Sequence, residues 1–305
     1  MQTTSPRVAG VIDVPVGLVE SQYEYAGEAG RAFVAALPAR VEEFLERWDL
    51  TVDGPLMHGM AALVVPVVGG GGPAALKFQV LDEETEGEPV ALRAWDGDGS
   101  VRLLAHDGGT GTMLLERLDS DRMLSSVEDS RKAVLVIAEL LARLTAGPAP
   151  EGMRRLSDIA ARMLADAPEA LGRVADPAAR ALLADCTAAV REVADEVGDR
   201  LLHWDLHFDN VLAAGREPWL AIDPKPLAGD PGFDLWPALN NRFEPDEAEW
   251  RFDAMSGVLG LDRERARAWT LGRVLQNALW DIEDGRELGA VDLEIARRLR
   301  GRAAQ

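Results

Sequence analysis

Cysteine and histidine are scarce in this sequence of 305 residues, which holds one cysteine and four histidines. The single thiol, Cys186, excludes an intrachain disulfide and a zinc site built from cysteines, and it is typical of a reducing compartment. Four histidines leave little material for a histidine metal centre. The fold must therefore rest on a hydrophobic core, and a chain with 47% hydrophobic residues is long enough to build one.

Long apolar runs are also missing. No stretch approaches the roughly 18 uninterrupted apolar residues of a membrane-spanning helix. The segment Met1–Gly10 has one arginine and lacks the apolar region of a secretory signal. The sequence thus predicts a cytoplasmic protein that has no membrane partner.

Basic residues are few compared with acidic ones: 32 Lys and Arg stand against 52 Asp and Glu, for a formal net charge of −20. Such a field repels phosphate backbones and anionic lipid, so we expect no nucleic-acid partner. It favours a cationic small molecule, although an acidic surface that only keeps the protein soluble accounts for the same composition. Nothing in the sequence indicates an oligomeric state.

The composition of the chain changes near residue 118, which separates two regions. Before this point, strands are predicted at 60–68, 73–81, 101–105 and 112–115, with helices at 28–48 and 82–95. The four glycines Gly69–Gly72 suit a tight turn between the first two strands. After it, helices are predicted at 130–144, 154–165, 177–197, 247–258, 263–283 and 292–302. We expect an α+β fold with an antiparallel β-sheet lobe at 1–117 and a mainly helical lobe at 118–305.

One strand signal interrupts the helical region, a short hairpin at 211–222. Folding it about residues 216 and 217 sets Asn210 opposite Asp223 at its open end. An amide oxygen beside a carboxylate suits Mg²⁺, which takes one or two protein ligands and completes its shell with phosphate oxygens and water. Asn210 and Asp223 are therefore the predicted metal ligands.

Asp205 precedes Asn210 by five residues and lies in a loop that passes the same end of the hairpin. A carboxylate there can accept the proton of a hydroxyl group. Together, His203-x-Asp205-x-x-x-x-Asn210 and the later Asp223 match the catalytic loop and metal-binding aspartate of kinases. The alternative is an acidic loop around a core histidine, and the combination of motifs disfavours it.

A kinase also needs a lysine on its third strand and a glutamate on the following helix. Lys77 is the only lysine in the first 120 residues, and it lies within an apolar strand. Glu88 is the preferred partner, with rivals at Glu83, Glu84 and Glu86. The backbone of Glu116 and Leu118, at the expected hinge, is predicted to contact the adenine. The glycines at Gly54 and Gly59 lack the spacing of a phosphate-binding loop.

These motifs resemble the antibiotic phosphotransferases with a protein-kinase-like fold, especially the aminoglycoside 6-phosphotransferase (streptomycin kinase) and hydroxyurea phosphotransferase group. The likeness covers residues 50–285. The segments that carry it are residues 203–212, 219–236, 75–78, 88–99 and 114–118.

The resemblance implies phosphorylation of a small-molecule hydroxyl by ATP with Mg²⁺. It implies that Asp205 is the catalytic base, that Asn210 and Asp223 hold the metal, and that Lys77, secured by Glu88, contacts the nucleotide phosphates. His203 would brace the loop. Asp230 and Asp234 are expected to fix the loop and cap a helix, and Lys225 either neutralises phosphate or pairs with Asp230.

The acceptor is less well defined than the reaction. Only residues 224–232 separate Asp223 from the next helix, too few for a platform that binds a protein substrate. Trp204 and Phe208 either pack in the core or shape an acceptor pocket. Carboxylates that either bind ammonium groups of an aminoglycoside or form a solvated helix start are Asp209, Glu244, Asp246, Glu247 and Glu249. Alternative functions are a kinase of a cellular metabolite and a non-catalytic nucleotide-binding protein.

Overall fold

The computed structural model describes residues 12–300, so the N-terminal segment tested for a signal lies outside the described residues. The chain forms two compact units: one runs to Asp82 and includes Arg102–Arg117, and the other comprises Glu83–Val101 and the chain from Leu118 onwards. The predicted lobes place Glu83–Val101 differently. This segment belongs to the second unit because Trp95 Nε1 donates to the Leu144 carbonyl and the Val101 N–H donates to that of Ala221, at 2.8 and 2.9 Å. In other respects the lobe boundary stays a prediction.

A six-stranded antiparallel sheet and two helices form the first unit. The strand order is β1-β3-β4-β6-β5, with β2 paired to β3. Apolar residues of the second helix, among them Leu37 and Phe44, share a buried core with Leu76 and Phe78 of the sheet. The elements are α1 (Val16–Tyr25), α2 (Gly27–Arg47), β1 (Thr51–Val52), β2 (Met57–His58), β3 (Ala62–Gly69), β4 (Gly72–Gln79), β5 (Leu103–His106) and β6 (Met113–Glu116).

The glycine turn of this sheet is confirmed. Gly69 pairs with Gly72, so two glycines make the turn between β3 and β4, and Gly72 has a φ of 96°. Positive φ values are open to glycine without steric cost. Pro38 does not divide α2, which runs unbroken from Gly27 to Arg47.

The helix predicted at 82–95 is shorter than expected. It begins at Glu88, with Pro89 in its first turn, and ends at Trp95, while residues 83–87 form turns. Proline favours the first turn of a helix because its missing N–H is not needed there. Pro89 therefore marks the start of α3, and the acidic residues before it lie outside the helix.

The second unit is mainly helical. Its helix α5 continues eight residues past the predicted end because Pro168 lies within it without ending it. The helices are α3 (Glu88–Trp95), α4 (Ser130–Leu144), α5 (Leu156–Arg173), α6 (Pro177–Val193), α7 (Trp236–Asn240), α8 (Ala248–Leu259), α9 (Arg263–Glu283) and α10 (Ala290–Leu299). Within residues 12–300, no helix is long and apolar enough to span a membrane.

Five short strands complete this unit: β7 (Asp119–Met123), β8 (Arg200–Leu202), β9 (Val211–Ala213), β10 (Leu220–Ala221) and β11 (Leu227–Gly229). The β9-β10 hairpin is the predicted one, and β7 joins it through β9. β8 and β11 form a separate antiparallel pair that the sequence pattern does not predict. Strands of two or three residues have too few side chains to show a periodicity.

Candidate active site

Two β-ribbons bracket the loops that carry the candidate catalytic residues. β8 ends at Leu202, directly before His203, and β11 begins at Leu227, four residues after Asp223. Leu202 and Leu227 pair across the β8-β11 ribbon, while Val211 and Ala221 pair across the β9-β10 hairpin. The chain therefore leaves one ribbon, passes through residues 203–210, turns at the hairpin and returns through residues 222–226.

The register of the hairpin differs by one residue from the prediction. Leu220 pairs with Leu212, and the N–H of Ile222 donates to the carbonyl of Asn210 at 2.9 Å. Asn210 thus lies opposite Ile222, one residue before Asp223. Asp223 follows with a φ of 58°, in the left-handed region. The residue midway between the paired Leu212 and Leu220 is Arg216, so the turn is centred there, which composition alone does not reveal.

His203 holds the candidate catalytic loop together from a fully buried position. Its Nε2 donates to the carbonyl of Ile222 at 3.0 Å, and its Nδ1 accepts the N–H of Asp205 at 3.3 Å. Burial lowers the pKa of His203 to about 4, so the ring is neutral at pH 7. The ring also stacks on Trp95, with centroids 6.1 Å apart. This geometry matches the bracing role implied for the histidine.

Asp234 fixes the same loop from the other side. Its fully buried carboxylate accepts the backbone N–H groups of His203 and Trp204, at 2.8 and 2.5 Å. Burial raises the pKa of Asp234 to about 7, although both N–H groups favour the charged form. Asp230 caps the short helical turn at Pro231–Asp234 by accepting the N–H of Gly232. Both residues have the loop-fixing and capping contacts expected of them.

The ring of Trp204 contacts two guanidinium groups. The centre of Arg154 is 4.4 Å from the ring centroid and that of Arg273 is 4.8 Å away. Arg273 also donates to the Trp204 carbonyl at 3.3 Å. Burial lowers the pKa of Arg273 to about 10. Trp204 and Phe208 are 3% and 1% exposed, so both pack in the interior and do not line an open acceptor pocket.

Asp205, the candidate base, pairs with Lys225. Lys225 Nζ lies 3.3 Å from Asp205 Oδ2 and 3.6 Å from Glu84 Oε2. Burial by itself would lower the pKa of Lys225, but the charges of Asp205 and Glu84 outweigh it, and the pKa is raised. Asp230 pairs with Arg265 at 2.6 Å. The alternative in which Lys225 pairs with Asp230 is therefore wrong.

Asn210 presents an oriented oxygen. Its Nδ2 donates to the main-chain carbonyl of Asp205 at 2.9 Å, which directs Oδ1 away from that carbonyl. The charges of Asp205 and Asp223 both raise the pKa of Lys225. Among residues 12–300, no group of three or more His, Cys, Asp or Glu side chains can hold a metal. The amide oxygen of Asn210 and the carboxylate of Asp223 are hard oxygen donors of the kind that suit Mg²⁺, which binds few protein oxygens and retains water and phosphate ligands.

The nucleotide-binding candidates are distributed over both units. In the first unit, Lys77 is 4% exposed on β4, between Val64 of β3 and Met113 of β6. In the second, Glu88 begins α3 and is 1% exposed, whereas Glu83 and Glu86 are exposed. This burial favours Glu88 over those rivals. Its pairing with Lys77 stays a prediction.

The hinge candidates are Glu116, the last residue of β6, and the buried Leu118. The Glu116 N–H donates to the carbonyl of Arg102 at 2.9 Å, so an adenine contact at this residue would fall to its carbonyl group. Their role in binding adenine stays a prediction.

Two of the carboxylates considered for acceptor binding are already paired within the second unit. Glu247 makes two hydrogen bonds with Arg131, both at 2.8 Å. Asp246 accepts from Arg298 at 3.2 Å. Both precede α8, so the helix-start interpretation accounts for them better than acceptor binding.

Comparison with known proteins gives the family. The model of the family described as aminoglycoside/hydroxyurea antibiotic resistance kinase matches residues 47–285. The chain belongs to this family of aminoglycoside/hydroxyurea antibiotic resistance kinases. Membership confirms the predicted phosphotransferase class.

Two relatives of this kinase match it over nearly its whole length. Hydroxyurea phosphotransferase of Kitasatospora aureofaciens is 64% identical, over 97% of this chain and 88% of the relative. Streptomycin 6-kinase of Streptomyces glaucescens is 54% identical, over 95% of this chain and 98% of the relative.

Solved structures confirm the kinase-like α+β fold. A thermostable mutant of the aminoglycoside phosphotransferase APH(4)-Ia, in complex with AMP-PNP and hygromycin B, has a TM-score of 0.60 and 18% identity, covering 85% of this chain and 97% of that one. A choline/ethanolamine kinase family protein from Mesorhizobium loti has a TM-score of 0.59 and 18% identity, covering 82% and 88%. At these identities the likeness shows the fold alone.

The sequence motifs of this kinase do not single out Arg154, Arg273 or the contact of Glu84 with Lys225. A signal exists for Arg273, because it lies within the buried stretch Ala268–Leu275 of α9. A charge inside a mainly apolar stretch is costly to bury unless it is paired. Arg154 and Glu84 lie in irregular segments, where spacing carries no such information.

Proposed function

We propose that this kinase transfers the γ-phosphoryl group of ATP to a hydroxyl group of hydroxyurea or of a streptomycin-like aminoglycoside. The arrangement of Asp205, Asn210 and Asp223 supports the proposal most directly. Two ribbons hold these residues at adjoining loops, and the amide of Asn210 is bonded to the backbone of Asp205. A base and an oxygen-donor pair in one place are what phosphoryl transfer to an alcohol requires.

In the proposed reaction, Asp205 accepts the proton of the acceptor hydroxyl as its oxygen attacks the γ-phosphorus. The carboxylate is suited to this because His203 and Asp234 fix the backbone before it. A base held in one orientation contributes by positioning as well as by proton affinity. His203 itself is buried and neutral, so it takes no part in proton transfer.

Asn210 Oδ1 and the Asp223 carboxylate would hold Mg²⁺, which supplies charge neutralisation for the phosphate oxygens when bound. Lys77, secured by Glu88, would contact the α- and β-phosphates. The adenine would bind to backbone groups of Glu116 and Leu118. These assignments rest on the match to the kinase pattern.

Hydroxyurea is the first acceptor to test, because the hydroxyurea phosphotransferase relative is 64% identical and the streptomycin 6-kinase relative is 54% identical. The net charge of −20 supports the second acceptor class, since an aminoglycoside carries positive charge. Antibiotic inactivation would be the physiological role in either case.

The test is a direct measurement of phosphorylated product by mass spectrometry, with the purified chain, Mg²⁺ and ATP. Hydroxyurea, streptomycin and a set of amino alcohols, sugars and nucleosides are each compared with a blank that has no acceptor. We expect a phosphorylated product with hydroxyurea or streptomycin.

Turnover restricted to a cellular metabolite would contradict the proposed acceptors and favour a metabolite kinase. Nucleotide binding without product from any acceptor would favour a non-catalytic protein. The variant Asp205→Asn serves as the matched inactive control, because it changes one carboxylate oxygen and leaves the loop contacts of His203 in place.

A further inference from the structure

Lys225 is one of three lysines in the chain, and the proposed reaction assigns it no role. It lies two residues after Asp223, on the return segment between the hairpin and β11. Its ammonium group is 3.3 Å from Asp205 Oδ2 and 3.6 Å from Glu84 Oε2. A single cation therefore contacts the candidate base on one side and a second carboxylate on the other.

The backbone of Lys225 is fixed at both of its polar groups. Its N–H donates to the carbonyl of His203 at 3.1 Å, and its carbonyl accepts from Arg154 at 3.1 Å. Prolines at 224 and 226 restrict the backbone on either side. The backbone from which the ammonium group extends is thus held against the loop that carries Asp205.

Glu84 holds the ammonium group from outside the loop. It lies in the turn segment before α3, and about a third of its side chain is exposed. Asp205 is less exposed, at 23% of its side chain. Paired charges at such partly buried positions are screened less than those at the surface, so the pair restrains both partners.

We propose that Lys225, held by Glu84, is a positioning residue for Asp205: it occupies Oδ2 and so leaves Oδ1 to take the proton of the acceptor hydroxyl. The inference rests on the proposed function. In the step itself, the acceptor O–H bond breaks while its oxygen forms a bond to the γ-phosphorus. The proton goes to Asp205 Oδ1, ADP leaves with the electron pair of the broken O–P bond, and Lys225 keeps its protons.

A positioning role and direct binding of phosphate have different effects on the measured kinetic constants. A residue that orients the base changes the rate of transfer in the loaded enzyme. A residue that binds phosphate changes the affinity for nucleotide. Misplacing a reacting group by about 1 Å costs on the order of 100-fold in rate.

The experiment compares Lys225→Met, Lys225→Arg, Glu84→Gln and the double variant Glu84→Gln/Lys225→Met with the wild type. Lys132→Met is the matched control, because Lys132 also pairs with a carboxylate, that of Asp129 at 3.5 Å, but on the exposed start of α4. The kcat and KM are measured with the acceptor that the wild type phosphorylates. The Kd for a non-hydrolysable ATP analogue is measured by calorimetry, and folding by thermal unfolding.

We expect Lys225→Met to lower kcat about 100-fold with the nucleotide Kd unchanged. Lys225→Arg should recover part of that loss, and Glu84→Gln should lower kcat by less. The double variant should be no slower than Lys225→Met, because in this proposal Glu84 acts on Asp205 through the ammonium group. Lys132→Met should behave as the wild type.

A weaker nucleotide affinity with unchanged kcat would overturn the inference and assign Lys225 to phosphate binding. If the kcat losses of Glu84→Gln and Lys225→Met multiply in the double variant, Glu84 does not act through Lys225, and its proposed role is overturned. If Lys225→Met does not fold, the positioning role is tested with Lys225→Arg and Glu84→Gln. Full activity in both of these variants would overturn the inference. A wild type that phosphorylates no acceptor would refute the proposed function itself, whereas an active wild type with an equally active Lys225→Met refutes this inference alone.

Discussion

The side-chain amide of Asn210 donates to the main-chain carbonyl of Asp205 at 2.9 Å, and this bond connects the two ends of the catalytic loop. The candidate metal ligand and the candidate base therefore do not move independently. A change at Asn210 is expected to affect both the metal and the base, whereas a change in the Asp205 carboxylate leaves the amide bond intact, because the bond is made to the backbone.

Replacement of Asp205 by asparagine should lower kcat by about 100- to 10,000-fold, because the loss of a general base has effects of that size. Nucleotide affinity and the unfolding midpoint should stay close to those of the wild type. Steady-state kinetics and calorimetry check both. Asp185→Asn, at an exposed carboxylate on α6, is the control and should retain activity. Wild-type turnover in Asp205→Asn would refute the assignment of the base.

Replacement of Asn210 by alanine should raise the Mg²⁺ concentration needed for half-maximal rate by at least about tenfold, the usual scale for disturbed metal sites. Asn210→Asp restores an oxygen donor but puts a carboxylate oxygen against the Asp205 carbonyl, so kcat should fall even at saturating Mg²⁺. Rates over a magnesium titration give both values. Asn240→Ala, a half-buried asparagine on α7, should leave the titration unchanged. An unaltered magnesium dependence in Asn210→Ala would rule out its role as a ligand.

Stability should depend on His203 at acidic pH. Burial lowers its pKa to about 4 in the folded state, below the unfolded value of 6.5. The unfolded chain therefore binds a proton first as the pH falls. The stability contributed by the neutral ring is complete above about pH 6.5 and is lost progressively towards pH 4, a change of about 3 kcal/mol.

Urea unfolding of the wild type and His203→Gln at several pH values between about 7 and 4.5 isolates this effect. Asp234, with its raised pKa, titrates in both proteins and contributes to both curves. We expect the stability difference between them to shrink as the pH falls. A difference that does not change with pH would contradict the burial-driven shift.

Gly232 is expected to tolerate no side chain. A Cβ there would lie 2.7 Å from the Cα of Ala266 on α9 and 3.0 Å from Asp230 Oδ1. Gly232→Ala should therefore destabilise the protein by about 1 to 3 kcal/mol and displace the turn that carries Asp234. Denaturant unfolding measures the loss. Gly257→Ala, in α8 with nothing within 4 Å, should instead gain roughly 0.5 to 1 kcal/mol. Equal effects of both substitutions would show that contact with α9 is not the cause.

The strongest predictions came from residues whose chemistry is tied to a fixed spacing. The motif from His203 to Asn210, followed by Asp223, indicates a kinase site because proton transfer and metal binding need those groups at those separations. The exact register did not follow, because a connection of uncertain length decides whether Asn210 faces Ile222 or Asp223. Likewise, a proline in the sequence does not by itself show whether a helix begins or continues there. Pro89 lies in the first turn of a helix, whereas Pro168 lies within one.

By itself, the sequence determined the succession of a sheet and a helical region, the glycine turn, and the identity of the base and metal-ligand candidates. These are local properties, set by periodicity and by the chemistry of neighbouring residues. Only the tertiary structure decided that Lys225 pairs with Asp205 rather than Asp230, and that Arg154 and Arg273 both contact the Trp204 ring. Such contacts join residues far apart in the chain, and their geometry depends on how the helices pack, which no spacing along one sequence records.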